Sequence, residues 1–311
     1  MQLKFLLISL IFLFTAACST NETSFPSQKT LNFYSDQSNY TDPGKYECLY
    51  EELPESLDEL CSLIKHQLIH PVEIGDLKNK LPKDRHYEDP KYPTVEKILE
   101  GLLEFDERGF TMDRKREDRL IIACYHHCLL LASVLRHRGI PVRIRTGFAR
   151  YFEKKYKVRF GHAICEVWDA EQQKWIWVDP DRQYIDMEHD RFELPQKAWK
   201  DLRRNRLKTK MYMGGFSKGE YSVVHILVQD IVSVVKTETQ YWDEPVFMDK
   251  IFKNIDELDE DKLLVLDQFA NLLEAADDSL EQLIALYNNT GWIQPSGSTW
   301  EETVDKFGIE F

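Results

Sequence analysis

After its N-terminus the 311-residue chain contains no run of about 18 apolar residues, so its interior offers no segment able to cross a bilayer. Positive charge is also scarce. Forty Lys and Arg stand against 53 Asp and Glu, leaving a net charge of −13. Such a surface repels phosphate backbones, which argues against a nucleic-acid partner. Internal repeats are absent, as is low-complexity sequence outside one polar stretch near the start. What remains is ample for a core. Hydrophobic residues make up 43% and aromatics 12%, enough for one large domain or two modest ones.

The first 17 residues carry the marks of a targeting segment. Lys4 is followed by an almost wholly apolar Phe5–Phe14, then by Thr15-Ala16-Ala17-Cys18. This resembles a bacterial lipoprotein signal, cleaved before a cysteine that is then lipidated. The resemblance implies export, with a lipid on Cys18 holding the chain at the cell envelope without threading it through the membrane. Ser19 after the cysteine points to the outer membrane in a Gram-negative host. Residues 18–45 are polar and read as a tether. With Cys18 lipidated, five cysteines remain, an odd number, so at least one thiol stays free; Cys48 and Cys61 are candidates to pair with each other.

Beyond the tether, Ser56 with Glu59 opens a helix carrying Leu57, Leu60, Ile64 and Leu68, and Pro71 closes it. Residues 71–92 read as irregular. Thr94 caps a second helix with Val95, Ile98, Leu99, Leu102 and Leu103 on one face. Residues 106–118 read as a loop. Cys124 to Arg138 is helical, stopped by Gly139 and Pro141. Ile140–Phe152, Phe160–Trp168 and Trp175–Asp179 read as strands, the last two joined by a turn near 169–172. Further on, Pro195–Arg206 reads as a basic helix, Tyr221–Lys236 as a β-branched strand, and Asp259–Tyr287 as two acidic amphipathic helices.

The hairpin around 169–172 carries the first chemical signal. A turn at its centre sets His162 opposite Asp179 and Ile164 opposite Trp177, with opposed Cβ atoms about 4.5–5.5 Å apart. A carboxylate beside an imidazole fixes its tautomer and stabilises its protonated form. Cys124 supplies a nucleophile at the start of a helix, where the positive end of the dipole favours a thiolate. Cys128, one turn on, lies in line with Leu131 and Leu135 and suits the core. Tryptophans 168, 175 and 177 read as core or as cleft walls. Arg143 and Arg145 read as a solvated strand face or carboxylate partners, and Glu166 as a hydrogen-bond partner on the sheet.

Three runs together resemble a known family. Cys124-Tyr-His-His-Cys-Leu-Leu-Leu-Ala-Ser-Val-Leu-Arg136, followed by Gly139-Ile-Pro141-Val-Arg143 and Gly147-Phe148, is similar to the transglutaminase-like nucleophile motif. His162-Ala-Ile-Cys-Glu-Val-Trp168 and Trp175-Ile-Trp-Val-Asp179-Pro180 are similar to the family's second and third motifs. The resemblance is firm over about 119–186. It implies an α+β, papain-like core, with a nucleophile helix packed on an antiparallel sheet, here carrying helical flanks on both sides. The domain then runs over 46–290, with 291–311 as a tail. By position the resemblance makes Cys124 the nucleophile, His162 the general base and acid, and Asp179 the orienting carboxylate. It implies acyl transfer on amide bonds of a peptide or protein, hydrolytic or transamidating, with no cofactor. Ile122 stands where relatives often have Gly, and Tyr125 and His126 replace the usual polar pair; these positions border the oxyanion site and the substrate. Two other readings use the same residues. One is a non-catalytic binding module on this fold. The other is a zinc site drawn from Cys124, His127, Cys128, His162 and Cys165.

Overall fold

The computed structural model of the chain describes residues 25–308. The expected signal segment and Cys18 lie outside that range. The first described element already departs from the tether reading. Helix α1 (Gln28–Ser35) is capped by Ser27, whose Oγ accepts the Thr30 N–H at 3.1 Å. Tyr34 on this helix is fully buried, donates its hydroxyl to the Val234 carbonyl at 3.0 Å, and meets Trp175 edge-on. The polar residues that look like linker here provide a cap, while one aromatic side chain anchors the segment to the domain.

Helix α2 (Leu57–Gln67) starts where Ser56 accepts the Glu59 N–H. It runs into strand β1 (Leu68–Ile69). Helix α3 (Val95–Phe105) is capped by Thr94 and precedes β2 (Leu120–Ile121). Helix α4 (Cys124–His137) stops at Gly139, whose φ of 72° suits glycine. Next come β3 (Val142–Ala149), a single turn α5 (Glu153–Tyr156), β4 (Arg159–Asp169), β5 (Lys174–Val178) and β6 (Phe192–Glu193). Helix α6 (Pro195–Arg203) has Pro at its first position, as helices favour. It leads to the short strands β7 (Tyr212–Gly214) and β8 (Ser217–Lys218), then helix α7 (Glu220–Val234). Helices α8 (Val246–Lys253), α9 (Glu260–Glu274), α10 (Ala276–Asn289) and α11 (Trp300–Phe307) complete the described chain. The last opens with a capping box between Thr299 and Glu302, so the expected tail is partly helical. Among the described residues no helix is long and apolar enough to cross a membrane.

The architecture is α+β. One sheet has the order β6-β3-β4-β7-β8, with β5 also paired to β4; β1 and β2 form a separate parallel pair. Every residue of β3 is buried, so both faces of the sheet are covered. Helix α4 packs on β3 and β4, sharing a core with α2 and α3 through residues such as Leu60, Ile64, Leu99, Leu131 and Ile144. Helix α7 packs on β3 and β7 and joins α6, α9 and α10 in a second core that includes Phe148, Trp199, Leu227 and Phe269. The segment 220–234 is therefore a helix and not the expected strand. Its valines and isoleucines fit a strand by type. Yet the run is too long for a typical strand, and twelve of its fifteen residues are buried, which removes the periodicity that would mark a helix.

The hairpin also closes differently from the sequence expectation. Cys165 pairs with Val178, Glu166 with Trp177 and Asp169 with Lys174, a register shifted by two residues. Residues 170–173 form a four-residue loop. Asp169 Oδ1 accepts the N–H groups of Glu171 and Gln172, and Gln173 takes a φ of 50°. Because strand side chains alternate, a shift of two leaves every side chain on its expected face.

Gly147 shows how tightly β6 seats on β3. A Cβ there would lie 2.5 Å from a Phe192 ring carbon and 2.6 Å from the Glu193 carbonyl oxygen. Backbone cannot swing aside as a side chain can. Gly147→Ala is expected to cost about 1–3 kcal/mol, read as a lower thermal midpoint; an unchanged midpoint would contradict this packing.

Candidate active site

Strands β3 and β4 and the start of α4 meet at a cleft of about 910 Å³ that contains Cys124, His162, His70, Tyr151 and Asp181. Cys124 is the first residue of α4, preceded by Ala123, whose N–H is held by Asp89 Oδ1 at 2.8 Å. The first N–H groups of a helix have no partner within it and point outward. Cys124 is partly exposed, while the rest of its helix up to Arg136 is buried.

His162 projects from β4 at a particular gap. One edge of β4 is paired with β7 at residues 159–160 and with β5 at 165–169, and His162 lies between the two. Asp179 follows the last residue of β5 and is fully buried. Its Oδ2 accepts from His162 Nε2 at 2.9 Å and from the Tyr151 hydroxyl at 2.5 Å; its Oδ1 accepts the Arg182 N–H at 2.9 Å. Paired backbone hydrogen bonds with Tyr184 lock the residue in place. With Nε2 committed to Asp179, Nδ1 of His162 is left for the sulfur. The rings of Tyr151 and Phe152 stand edge-on to the imidazole at 6.0 Å and fix its plane. Cys124, His162 and Asp179 are thus brought together. Asp179 reaches His162 on the diagonal of the hairpin and not from directly across, since same-face neighbours two residues apart remain within side-chain reach.

The electrostatics follow from this arrangement. Burial opposes a thiolate at Cys124, but the charge and hydrogen bonds of His162 and His70 outweigh it and bring the thiol from an ordinary 9.0 down to about 6. His162 is held well above its usual range: burial works against its cation, while the Cys124 thiolate and Asp179 favour it more strongly. Burial raises the Tyr151 phenol, and the neighbouring Asp179 charge adds to this, so it donates as a neutral hydroxyl.

The other sequence candidates fall elsewhere. Cys128 is fully buried and its thiol is pushed well up by burial; Cys165 is buried with its sulfur 3.6 Å from the Cys128 carbonyl oxygen. His127 turns its Nδ1 to the Ala123 carbonyl at 3.0 Å. Among the described residues no three His, Cys, Asp or Glu converge as metal ligands, so the five residues considered as a zinc set do not form one. Cys48 and Cys61 are both free: Cys48 is exposed, while Cys61 sits in the α2–α4 core. The three tryptophans do not line the cleft. Trp177 Nε1 donates to Glu166 at 2.9 Å, and Trp175 Nε1 donates to Asp277. Arg143 and Arg145 are not solvated: both bond buried Glu166, and Arg145 also grips Asp230 at 2.8 Å.

Three residues of the cleft went unmarked by sequence motifs: His70, Tyr151 and Asp181. Asp181 follows Pro180 by one residue and could have been noticed as a second acid. Tyr151 gives no signal, because it lies past the end of β3. His70 lies over fifty residues before Cys124 and arrives only through the pairing of β1 with β2.

Residues 123–180 match the family model of the transglutaminase-like superfamily. Searches of curated proteins and of solved structures gave no match.

Proposed function

From the premise that residues 123–180 belong to the transglutaminase-like superfamily of papain-like cysteine enzymes, we propose that the protein transfers acyl groups from amide bonds through Cys124, His162 and Asp179. The observation that carries this is the 2.9 Å contact between His162 Nε2 and a fully buried Asp179, beside a sulfur at a helix start. In the first step the Cys124 thiolate attacks the amide carbonyl, and the carbonyl π electrons move to oxygen. The backbone N–H of Cys124, at the start of α4, is the donor assigned to that oxyanion. Collapse of the intermediate breaks the C–N bond as His162 gives its Nδ1 proton to the departing amine. Water or a second amine then attacks the thioester, returning one proton to His162 and releasing the carboxylic acid or the new amide. Asp179 keeps the ring in one orientation and stabilises its cation without taking the proton.

The substrate under this reading is a peptide or protein amide. The cleft has aromatic walls, including Tyr87, Phe152, Tyr156, Phe160 and Phe216, suited to an extended chain with bulky apolar side chains. With the N-terminal segment acting as a lipoprotein signal, the enzyme would be tethered through Cys18 in the cell envelope and meet envelope peptides there.

The test uses the thiolate itself. A thiol at about 6 is ionised over most of the neutral range. Its iodoacetamide alkylation should rise through pH 6 and level off by pH 7.5, while an ordinary thiol still climbs through about 8.5. Peptide mapping distinguishes Cys124 from exposed Cys48. A midpoint above pH 8 at Cys124 would favour the non-catalytic module on the same fold.

A further inference from the structure

We propose that His70 is a catalytic residue of this site, the side-chain donor that takes up the oxyanion; the inference rests on Cys124 being the nucleophile. The backbone puts His70 there. In the parallel pair, Leu68 and Ile69 run beside Leu120 and Ile121, and the Ile122 N–H donates to the Ile69 carbonyl at 3.0 Å. One residue further along each strand come His70 and the turn into α4. The imidazole is oriented as firmly as its position. Its Nδ1 accepts the Val72 N–H at 3.3 Å, so in the neutral ring the proton sits on Nε2, the nitrogen left for the hydrogen bond with Cys124 across the cleft they share.

Asp181 adds a buried negative charge near this ring without a hydrogen bond to it, unlike the bonded pair of His162 and Asp179. Asp181 is 3% exposed and is held by Lys65 Nζ at 2.5 Å. Burial opposes the His70 cation, but the hydrogen bond with Cys124 and then the Asp181 charge raise the ring overall. The sulfur therefore lies between two imidazoles, each with a buried acid nearby. The two rings present opposite faces of the chemistry. His162 offers Nδ1, which can take a proton from the thiol. His70 offers an N–H whose partner nitrogen is already engaged, which makes it a donor. One thiol has one proton, so a second acceptor would have nothing to do.

A donor aimed at a thiolate is well placed for the next step. As sulfur bonds to the carbonyl carbon, its negative charge moves to the oxygen on that same carbon. The N–H that held the sulfur then follows the charge over two bond lengths without rearrangement of the protein. Together with the Cys124 backbone N–H it makes a two-donor oxyanion site. Cys124 departs from the family pattern in its neighbours Ile122 and Tyr125, and His70 supplies a donor from the turn that follows β1.

Two reagents separate this role from simple thiolate stabilisation. Iodoacetamide alkylates sulfur by displacement and forms no oxyanion. p-Nitrophenyl acetate acylates it through one. Both rates at Cys124 are measured at a pH where the thiol is fully ionised, in the natural protein, His70→Leu and His70→Gln. The expected result is an acylation rate about 10²–10³-fold lower in His70→Leu, with alkylation within about threefold. His70→Gln, which keeps an N–H donor, should recover at least about tenfold of the loss. Equal slowing of both reactions, acylation within threefold of the natural protein, or a natural protein that alkylates at Cys124 but is never acylated would overturn the proposal. Labels that map to a cysteine other than 124 would instead refute the nucleophile itself. Alkylation at Cys124 in each variant also reports that the cleft remains folded.

Discussion

Cys124→Ala is expected to lose acyl transfer to p-nitrophenyl acetate by about 10⁴-fold or more, the scale seen when a nucleophile is removed from a catalytic triad, while its thermal midpoint stays within a few degrees. The size of the effect follows from the absence of a substitute thiol in the cleft among the described residues. Cys128 and Cys61 are buried in the core with their thiols pushed up by burial. Cys165 is fully buried with its sulfur turned to the Cys128 carbonyl. Cys48 is exposed in the turn Gly44–Tyr50 and is not part of the cleft. The stability effect is small because Cys124 sits at a helix end, partly open to solvent, and its side chain fills no enclosed space. A burst of p-nitrophenolate that survives the substitution would eliminate the proposed chemistry.

A comparably large effect on stability is expected from Glu238→Gln. Arg136, near the end of α4, holds Glu238 with both guanidinium nitrogens, at 2.6 and 2.9 Å, and both side chains are fully shielded from water. The same guanidinium bonds the Val142 carbonyl and the Thr41 hydroxyl. One cation thus joins α4, the entry to β3, the segment after α1 and the loop after α7. Replacing the acid by its amide preserves shape but leaves a buried positive charge uncompensated, which costs about 3–5 kcal/mol. At about 2–4 °C per kcal/mol for a domain of this size, the thermal midpoint should fall by about 10 °C. Adding Arg136→Met should restore part of the loss, because the stranded charge is then gone. A fall of less than 2 °C in Glu238→Gln would mean that water or another acid reaches Arg136.

Features encoded locally were legible in the sequence. The caps at Ser56 and Thr94, the glycine stop after α4 and the two acidic helices α9 and α10 each depend on residues within one or two turns. The juxtaposition of His162 and Asp179 was legible because alternation along a strand survives an error of two in register: the two share a face under either pairing. What escaped depends on distant partners. The parallel contact of Leu68–Ile69 with Leu120–Ile121 is only two residues long, and no periodicity advertises it, yet it delivers His70. Tyr34 looks like one aromatic in a polar linker until the Val234 carbonyl is found to receive it. Helix α7 was misread because burial on nearly all sides leaves no polar face to reveal its turn.

The two histidines just after Cys124 have a consequence for how the cleft responds to acidity. His126 and His127 are fully enclosed, and burial depresses them to about 3 and about 4. Between about pH 5 and pH 8, the window in which imidazoles ordinarily change charge, both therefore remain uncharged. The opening turn of α4 then presents a constant field to the sulfur across that window. Changes in protonation near the sulfur then come from other groups, among them the thiol, the imidazoles of His70 and His162, and Asp89, whose carboxyl burial holds well above its usual range.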